Sequence, residues 1–212
     1  ENEAVKQLRA GKEFPSQAQV KKLREAARKI IKDKREALST LAERALNALA
    51  RSGVAIEDLS NKRSGVFGAT YACQRVQGAF TIDGVPLAER SYLQGFLAAT
   101  DTETRLAKLV GSKGKHSIRE QIEPHLSSIY DALKAFSDYN LQQLPIYVTA
   151  QQINRYAGLY GILIDIDNAL QDLKRDGKLM LISDAPSLIQ ALLKDNNDAP
   201  FLYEKIGTRI EH

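Results

Sequence analysis

The spacing of apolar residues predicts a long amphipathic helix near the start of the chain. Between Ser16 and Arg51 apolar side chains recur mostly at three- and four-residue steps, with no glycine or proline between them. Such a repeat places one apolar stripe along an α-helix. The stripe consists of Val20, Leu23, Ala27, Ile30, Leu38, Leu41, Ala45 and Leu49.

Ser16 is the predicted N-cap of this helix, and Gly53 is the residue predicted to end it. A continuous helix of about 36 residues would be about 54 Å long. Such a helix either projects as an arm or breaks near Lys34.

The rest of the chain also has mostly helical spacing. The segment from Val54 to Gly84 is the least helical, and the alternating residues 79–82 before Asp83-Gly84 are typical of a short hairpin. Further helices are predicted over 87–98, 102–110, 117–139, 149–175, 183–194 and 201–206. Pro145 is expected to break the pattern, and Asp176-Gly177 is expected to end a helix. The predicted fold class is therefore mainly α: an elongated multi-helix arm or bundle with little or no β structure.

Composition and charge narrow the class of protein. A chain of 212 residues that is 43% hydrophobic can bury a sizeable core. The net charge of +4 is unevenly placed: residues 1–75 hold 16 Lys and Arg against 9 Asp and Glu, and the remainder holds 14 against 17. The basic first third permits a nucleic-acid partner without requiring one.

The cysteine count and the length of the apolar runs indicate the cellular compartment. Cys73 is the only cysteine, which excludes an intramolecular disulfide and suits a reducing cytoplasm, and we expect a buried, inert thiol. No apolar run is long enough to span a bilayer, and no signal-peptide pattern is present. We therefore expect a bacterial cytoplasmic protein without a membrane partner. Because the chain opens at Glu1 without a methionine, we expect a piece of a longer protein.

Several sequence patterns resemble nucleotide-binding, catalytic or metal-binding motifs but lack the residues or the spacing that those motifs require. Residues 111–117 contain Gly-Lys, but Leu109 stands where a P-loop needs glycine and His116 where it needs Ser or Thr. Asp165 and Asp167 point about 200° apart on a helix, so they cannot share a metal or a proton. The three histidines, His116, His125 and His212, lack metal-ligand spacing. We predict no catalytic residue and no metal site, and no cofactor for this chain.

A group of basic residues in the first long helix is the strongest candidate binding site. The predicted DNA-binding residues are Lys21, Lys22, Arg24, Arg28, Lys29, Lys32, Lys34 and Arg35. Five of them, at 21, 24, 28, 32 and 35, step by three or four residues and so form one stripe beside the apolar stripe. A row of this kind can follow a phosphate backbone without reading sequence. The competing interpretation is a solvated helix face, because Glu25, Asp33 and Glu36 are interleaved.

The end of the chain resembles a helicase family. Residues 198–212, DAPFLYEKIGTRIEH, are similar to the segment that leads into the Walker B strand of UvrD/RecB/AddA-type superfamily 1 DNA helicases, especially the helicase-nuclease relatives from Bacteroidetes. The Tyr203-Glu204-Lys205-Ile206-Gly207 pattern followed by His212 carries the resemblance. Upstream, Ser183-Asp184 matches part of the family's approach to that helix. The similarity covers about 35 residues at the end.

The resemblance implies a division of the chain and a function. Residues 1–178 would be a helical arm like subdomain 1B of that family, and residues 179–212 a helical segment that leads into the ATPase core. In relatives this subdomain contacts duplex DNA ahead of the fork. The implied function is a non-catalytic accessory subdomain that grips duplex DNA independently of sequence. ATP and Mg²⁺ would be cofactors of the parent, an ATP hydrolase with or without exonuclease activity, and the rest of the helicase core would be a partner.

Two other functions remain open at this point. A protein-interaction module would dock a partner subunit or the rest of the helicase through its long helices, and an exposed apolar patch would favour it. A free-standing enzyme would need side chains brought together from distant positions.

Overall fold

The computed structural model describes residues 16–111 and 116–186, and it confirms the mainly α class. The α-helices are α1 (Gln17–Ala50), α2 (Gly68–Arg75), α3 (Ser91–Leu97), α4 (Thr102–Val110), α5 (His116–Ile122) and α6 (Leu126–Gly177). Strands β1 (Thr81–Ile82) and β2 (Val85–Pro86) form one antiparallel pair, in which Ile82 lies opposite Val85. Short 3-10 turns cover Ile56–Asp58, Lys62–Ser64, Leu87–Glu89, Glu123–His125 and Ile182–Asp184.

Helix α1 begins and ends close to the predicted limits. Ser16 caps it through a reciprocal pair of bonds: the Gln19 N–H donates to Ser16 Oγ at 3.3 Å, and the Ser16 N–H donates to Gln19 Oε1 at 2.7 Å. The helix is continuous through Lys34, so the alternative of a break there is wrong. Because this stretch is rich in Ala, Lys, Arg, Glu and Leu, every turn has high helix propensity.

The segment between 54 and 84 holds both a confirmed and a missed element. The predicted hairpin is present: Asp83 and Gly84 form its turn with φ of 53° and 79°, which is the region favoured by Asp-Gly in two-residue turns. Helix α2 was not predicted there. Its first residue is Gly68, and the glycines on either side hid a short buried helix whose Ala69, Thr70 and Cys73 lie in the core.

The expected break at Pro145 is wrong, because α6 runs through it without interruption. A proline inside a helix removes one hydrogen bond, here to the carbonyl of Leu141, and costs about 3 kcal/mol. Leu141 and Pro145 both lie on the exposed side, where water can satisfy that carbonyl. The helix break instead falls at Pro124, between α5 and α6, so the predicted run over 117–139 is two helices.

The chain divides into two compact units, one of which is residues 15–160. Its core contains the fully buried rings Phe67, Phe80, Phe96 and Phe136. Phe80 stacks on Tyr147 with 4.4 Å between ring centroids. Buried Asn140 joins the hairpin region to α6: its Nδ2 donates to the Phe80 carbonyl at 3.0 Å, and its Oδ1 accepts from the Ala88 N–H at 3.0 Å.

The other unit comprises residues 1–14 and 161–212, of which the structure describes 161–186. Helix α6 ends at Gly177, as expected, and Lys178 takes the left-handed conformation with φ of 49°. Lys174 Nζ lies 2.6 Å from Asp184 Oδ2, which ties the end of the helix to the turn after it. Of the helix expected over 183–194, residues 187–194 lie outside the described residues, as do the helix expected over 201–206 and the helicase-like residues 198–212. The boundary at 178/179 stays a prediction.

Candidate nucleic-acid interface

Helix α1 presents most of the predicted DNA-binding residues on its first half. At about 100° per residue, the five stripe residues at 21, 24, 28, 32 and 35 fall within an arc of about 80°. Lys29 and Lys22 lie about 60° and 80° past one edge of that arc, and Lys34 lies about 80° past the opposite edge. The structure therefore brings seven of the eight cations to one side of α1. Six of these seven, all but Arg35, are exposed.

Four of the exposed cations have neither a hydrogen-bond partner nor a charge partner among the described residues: Lys21, Lys22, Arg24 and Lys29. Lys32 Nζ lies 3.7 Å from Glu36 Oε1, with both side chains largely exposed. An exposed pair of this geometry contributes about 0.3 to 0.5 kcal/mol and is screened by salt. Lys32 is therefore available to an anionic ligand almost as freely as the four unpaired cations.

Two of the eight residues have structural contacts that the sequence did not indicate. The guanidinium of Arg35 donates to two backbone carbonyls just beyond the end of α2, from Nη2 to Val76 and from Nε to Gln77, both at 2.8 Å. Lys34 is half-buried, with Nζ 6.0 Å from the ring centroid of Tyr139. Both residues help to hold α1 against the core, so we expect less of their charge to be available for DNA.

The close approach of α2 to α1 fixes where Arg35 can reach. Gly78 has φ of 78°, and a Cβ at this position would collide with the Arg35 carbonyl. A glycine is required here for both reasons. Because the backbone after α2 touches α1 at this point, the Val76 and Gln77 carbonyls face the Arg35 guanidinium.

Arg28 has a partner on another helix. Its Nε donates to Asn154 Oδ1 on α6 at 3.1 Å. Further along α1, Lys34 lies over the ring of Tyr139, which comes earlier in α6 than Asn154, so the two helices pack antiparallel. The terminal nitrogens of Arg28 have no hydrogen bond among the residues that the structure describes.

A pocket of about 440 Å³ lies at the C-terminal part of the stripe. Arg28, Lys32 and Arg35 contribute its cations, and Glu36 its single carboxylate. Three carboxamides, Gln74, Gln77 and Asn154, complete its polar lining. No sequence signal identifies these amides, because they are 35 or more residues from the α1 residues that line the pocket, and only packing brings them together.

The titratable groups near α1 are shifted mainly by burial. Burial raises the pKa of the Cys73 thiol from 9.0 to about 12, against smaller lowering effects from the Gly78 N–H and the Arg35 charge. The predicted burial of the thiol is thus confirmed. Burial also raises the pKa of Tyr139, with a further contribution from the negative charge of Asp33. Neither group is poised to exchange protons near neutral pH.

The described residues also include two exposed apolar surfaces, one in each compact unit. An apolar groove of about 330 Å³ lies between α1 and α6, lined by residues that include Leu23, Ile30 and Ile146. Within the unit that contains 161–186, Ile162, Leu163, Ile166 and Leu173 of α6 remain 52–61% exposed on one face of the helix. Exposed apolar rows of this kind occur on surfaces that dock other proteins.

The other candidate chemistry gains no support from the geometry. In the described part of the chain no group of three or more His, Cys, Asp and Glu could hold a metal ion. His116 pairs only with Glu120 on its own helix, at 3.4 Å. Most of the loop that includes a Gly-Lys pair, residues 112–115, lies outside the described residues, as does His212. None of the described helices combines the length and apolar character needed to cross a bilayer.

Comparison with known proteins identifies no relative. No family model matches the chain, and neither a curated protein nor a solved structure is significantly similar to it.

Proposed function

We propose that this chain is a non-catalytic accessory subdomain of an ATP-dependent DNA helicase or exonuclease, and that it grips the backbone of duplex DNA through α1. One observation carries the proposal: six exposed cations occur within the twelve residues from Lys21 to Lys32, and four of them have neither a hydrogen-bond partner nor a charge partner in the described chain. Unpaired lysines and arginines in a row repel one another unless a polyanion neutralises them.

The length of the stripe and the type of its side chains suit contact with a nucleic-acid backbone. From Lys21 to Arg35 the rise is about 21 Å, on the order of six base pairs of duplex. The exposed cations hold flexible side chains and no aromatic ring interrupts them, which favours phosphate contact over base stacking. Binding should therefore be independent of sequence, with a Kd of about 10⁻⁴ to 10⁻⁶ M at physiological salt.

The helicase parent rests on the resemblance at residues 198–212. Under this proposal the rest of the parent binds ATP and Mg²⁺ and supplies the motor, and the present chain holds DNA ahead of it. The remainder of the helicase core is then the permanent partner of this subdomain, in a bacterial cytoplasm.

Fluorescence anisotropy with labelled DNA tests the proposal. The wild-type chain should bind two duplexes of unrelated sequence with equal affinity. A variant with Lys21, Arg24, Arg28 and Lys32 changed to Glu should lose measurable binding.

The control variant reverses four other exposed cations, Arg51, Lys62, Arg75 and Lys108. It has the same net charge as the stripe variant and should retain most of the affinity. Equal loss in the two variants would show that only net charge matters, and absence of binding by the wild type would rule out the proposed function.

The exposed face of α6 favours a second candidate function, docking of a protein. Ile162, Ile166 and Leu173 are each more than half exposed, and burying such a side chain contributes about 1.5 to 3 kcal/mol. If this face docks the helicase core or a partner subunit, the variant Ile166→Asp, Leu173→Asp should lose co-purification with the separately expressed core. The DNA-stripe variant should retain it. The reverse pattern would contradict docking through α6.

A further inference from the structure

The pocket at the C-terminal part of the basic stripe differs from the rest of that stripe. Lys21, Lys22, Arg24 and Lys29 project into solvent, whereas Arg28 and Lys32 line a concavity of about 440 Å³. That volume is within the range of pockets that bind small ligands. Arg35 adds a third cation and Glu36 one carboxylate, so the lining is net positive.

Two of the three cations of the pocket, Arg28 and Arg35, are held in place before any ligand arrives. Asn154 accepts the Nε proton of Arg28, and two backbone carbonyls hold the guanidinium of Arg35. A fixed guanidinium loses little conformational entropy on binding, which raises affinity for each contact made. The freely rotating lysines elsewhere on the stripe lack this advantage.

The pocket also offers neutral donors beside the charges. The side chains of Gln74, Gln77 and Asn154 each carry an amide NH₂. Gln74 uses its amide to bond the Ser39 carbonyl at 2.6 Å, which fixes one wall. Fixed guanidinium groups, a lysine and amide donors around one concavity form a donor set suited to the oxygens of a phosphate group.

We infer that this pocket is a phosphate site that seats one phosphodiester of the bound DNA, with Arg28 and Lys32 contacting its oxygens. The inference rests on the proposed function, since it names the position on α1 where DNA binding is concentrated. The remaining cations of the stripe then contribute a weaker, diffuse attraction.

Two double variants that remove the same charge test the inference. The pocket variant is Arg28→Gln, Lys32→Gln, and the matched variant outside the pocket is Lys21→Gln, Lys29→Gln. At equal salt we expect the pocket variant to weaken duplex binding at least tenfold more than the other. Asn154→Ala, which leaves the charge unchanged, should weaken it about threefold through loss of the Arg28 anchor. Circular dichroism confirms that each variant is folded.

A second measurement uses inorganic phosphate as the probe. In the 212-residue chain labelled with ¹⁵N, the Arg28 Nε–H resonance should shift saturably with phosphate and much less with chloride at equal ionic strength. Duplex DNA should compete with phosphate for this shift. Equal effects of phosphate and chloride would overturn the pocket as a phosphate site.

The outcomes separate the inference from the proposed function. If DNA binds and the two double variants weaken its binding equally, the pocket is not a phosphate site and the DNA-binding function stands. If phosphate shifts Arg28 but DNA does not bind, DNA is overturned as the source of the phosphate and the proposed function fails with it.

Discussion

The two halves of α1 share one helix and one apolar periodicity but lie in opposite environments. In residues 17–34 the only buried side chain is Ala27, whereas in residues 35–50 Leu38, Ala42, Ala45, Ala48 and Leu49 are all buried. The second half is part of the core, and the first half carries the exposed cations. Periodicity alone shows which face of a helix is apolar; it does not show how much of that face is covered. The difference makes the first half available for a charged ligand without cost to the core.

Removing one leucine from each half tests the comparison most strongly. Leu38 is 0% exposed and Leu23 is 53% exposed. Leu38→Ala should lower the free energy of unfolding by about 2 to 5 kcal/mol, because it leaves a cavity. Leu23→Ala should change it by about 0.5 kcal/mol or less. Urea denaturation followed by circular dichroism measures both, and equal losses would contradict the assignment of the two halves.

Two arginines of the stripe should separate stability from binding. Arg35 bonds two carbonyls beyond α2, and Arg24 is exposed without a partner in the described chain. Arg35→Gln should cost about 1.5 to 3 kcal/mol of stability, because it leaves charge-assisted bonds unmade. Arg24→Gln should leave stability unchanged and weaken DNA binding. Thermal melts with parallel anisotropy titrations measure the two effects, and a stability loss in Arg24→Gln of the same size would refute the distinction.

Alkaline pH should lower the free energy of unfolding, because it deprotonates the thiol of Cys73 on α2, which lies in the same core as the second half of α1. The folded pKa of about 12 exceeds the ordinary 9.0, so the folded state holds its proton where the unfolded state has lost it. Stability from this group is complete below pH 9 and is lost as pH rises toward 12. At pH 10.5 the loss is about 2 kcal/mol. Urea denaturation between pH 8 and 10.5 should show a steeper decline in wild type than in Cys73→Ala, and parallel declines would contradict the shift.

The helix cap should have the smallest and most local effect. Ser16→Ala removes the cap bond to Gln19 at the start of the first half and should cost about 1 kcal/mol there. Amide hydrogen exchange should therefore accelerate in residues 19–24 and remain unchanged in residues 38–48. Acceleration across the whole helix would mean that the two halves unfold together.

The elements that the sequence predicted well depend on local signals. Ser16 and Gln19 form a capping box, Asp83-Gly84 forms the hairpin turn, and Gly177 ends α6. The break expected at Pro145 was wrong because packing on either side of the proline, where Asn140 and Tyr147 are buried, offsets the cost of an interior proline. Helix α2 was missed because its eight residues are held by tertiary contacts rather than by propensity.

Only part of the candidate site could be identified from the sequence. Helical spacing was enough to align Lys21, Arg24 and Arg28 on one face. The structural contacts of Lys34 and Arg35 depend on partners at Tyr139 and beyond α2, so no local pattern could separate them from the free cations. The pocket amides were equally hidden, because they come from two other parts of the chain.

The salt dependence of duplex binding tests the central claim most directly. If the first half of α1 neutralises about four phosphates, log K against log salt should have a slope of about −3.6. The variant with Lys21, Arg24, Arg28 and Lys32 changed to Gln should have a slope near zero. The variant with Arg51, Lys62, Arg75 and Lys108 changed to Gln should keep the wild-type slope. A stripe variant whose slope equals that of the wild type would contradict the claim that α1 grips the DNA backbone.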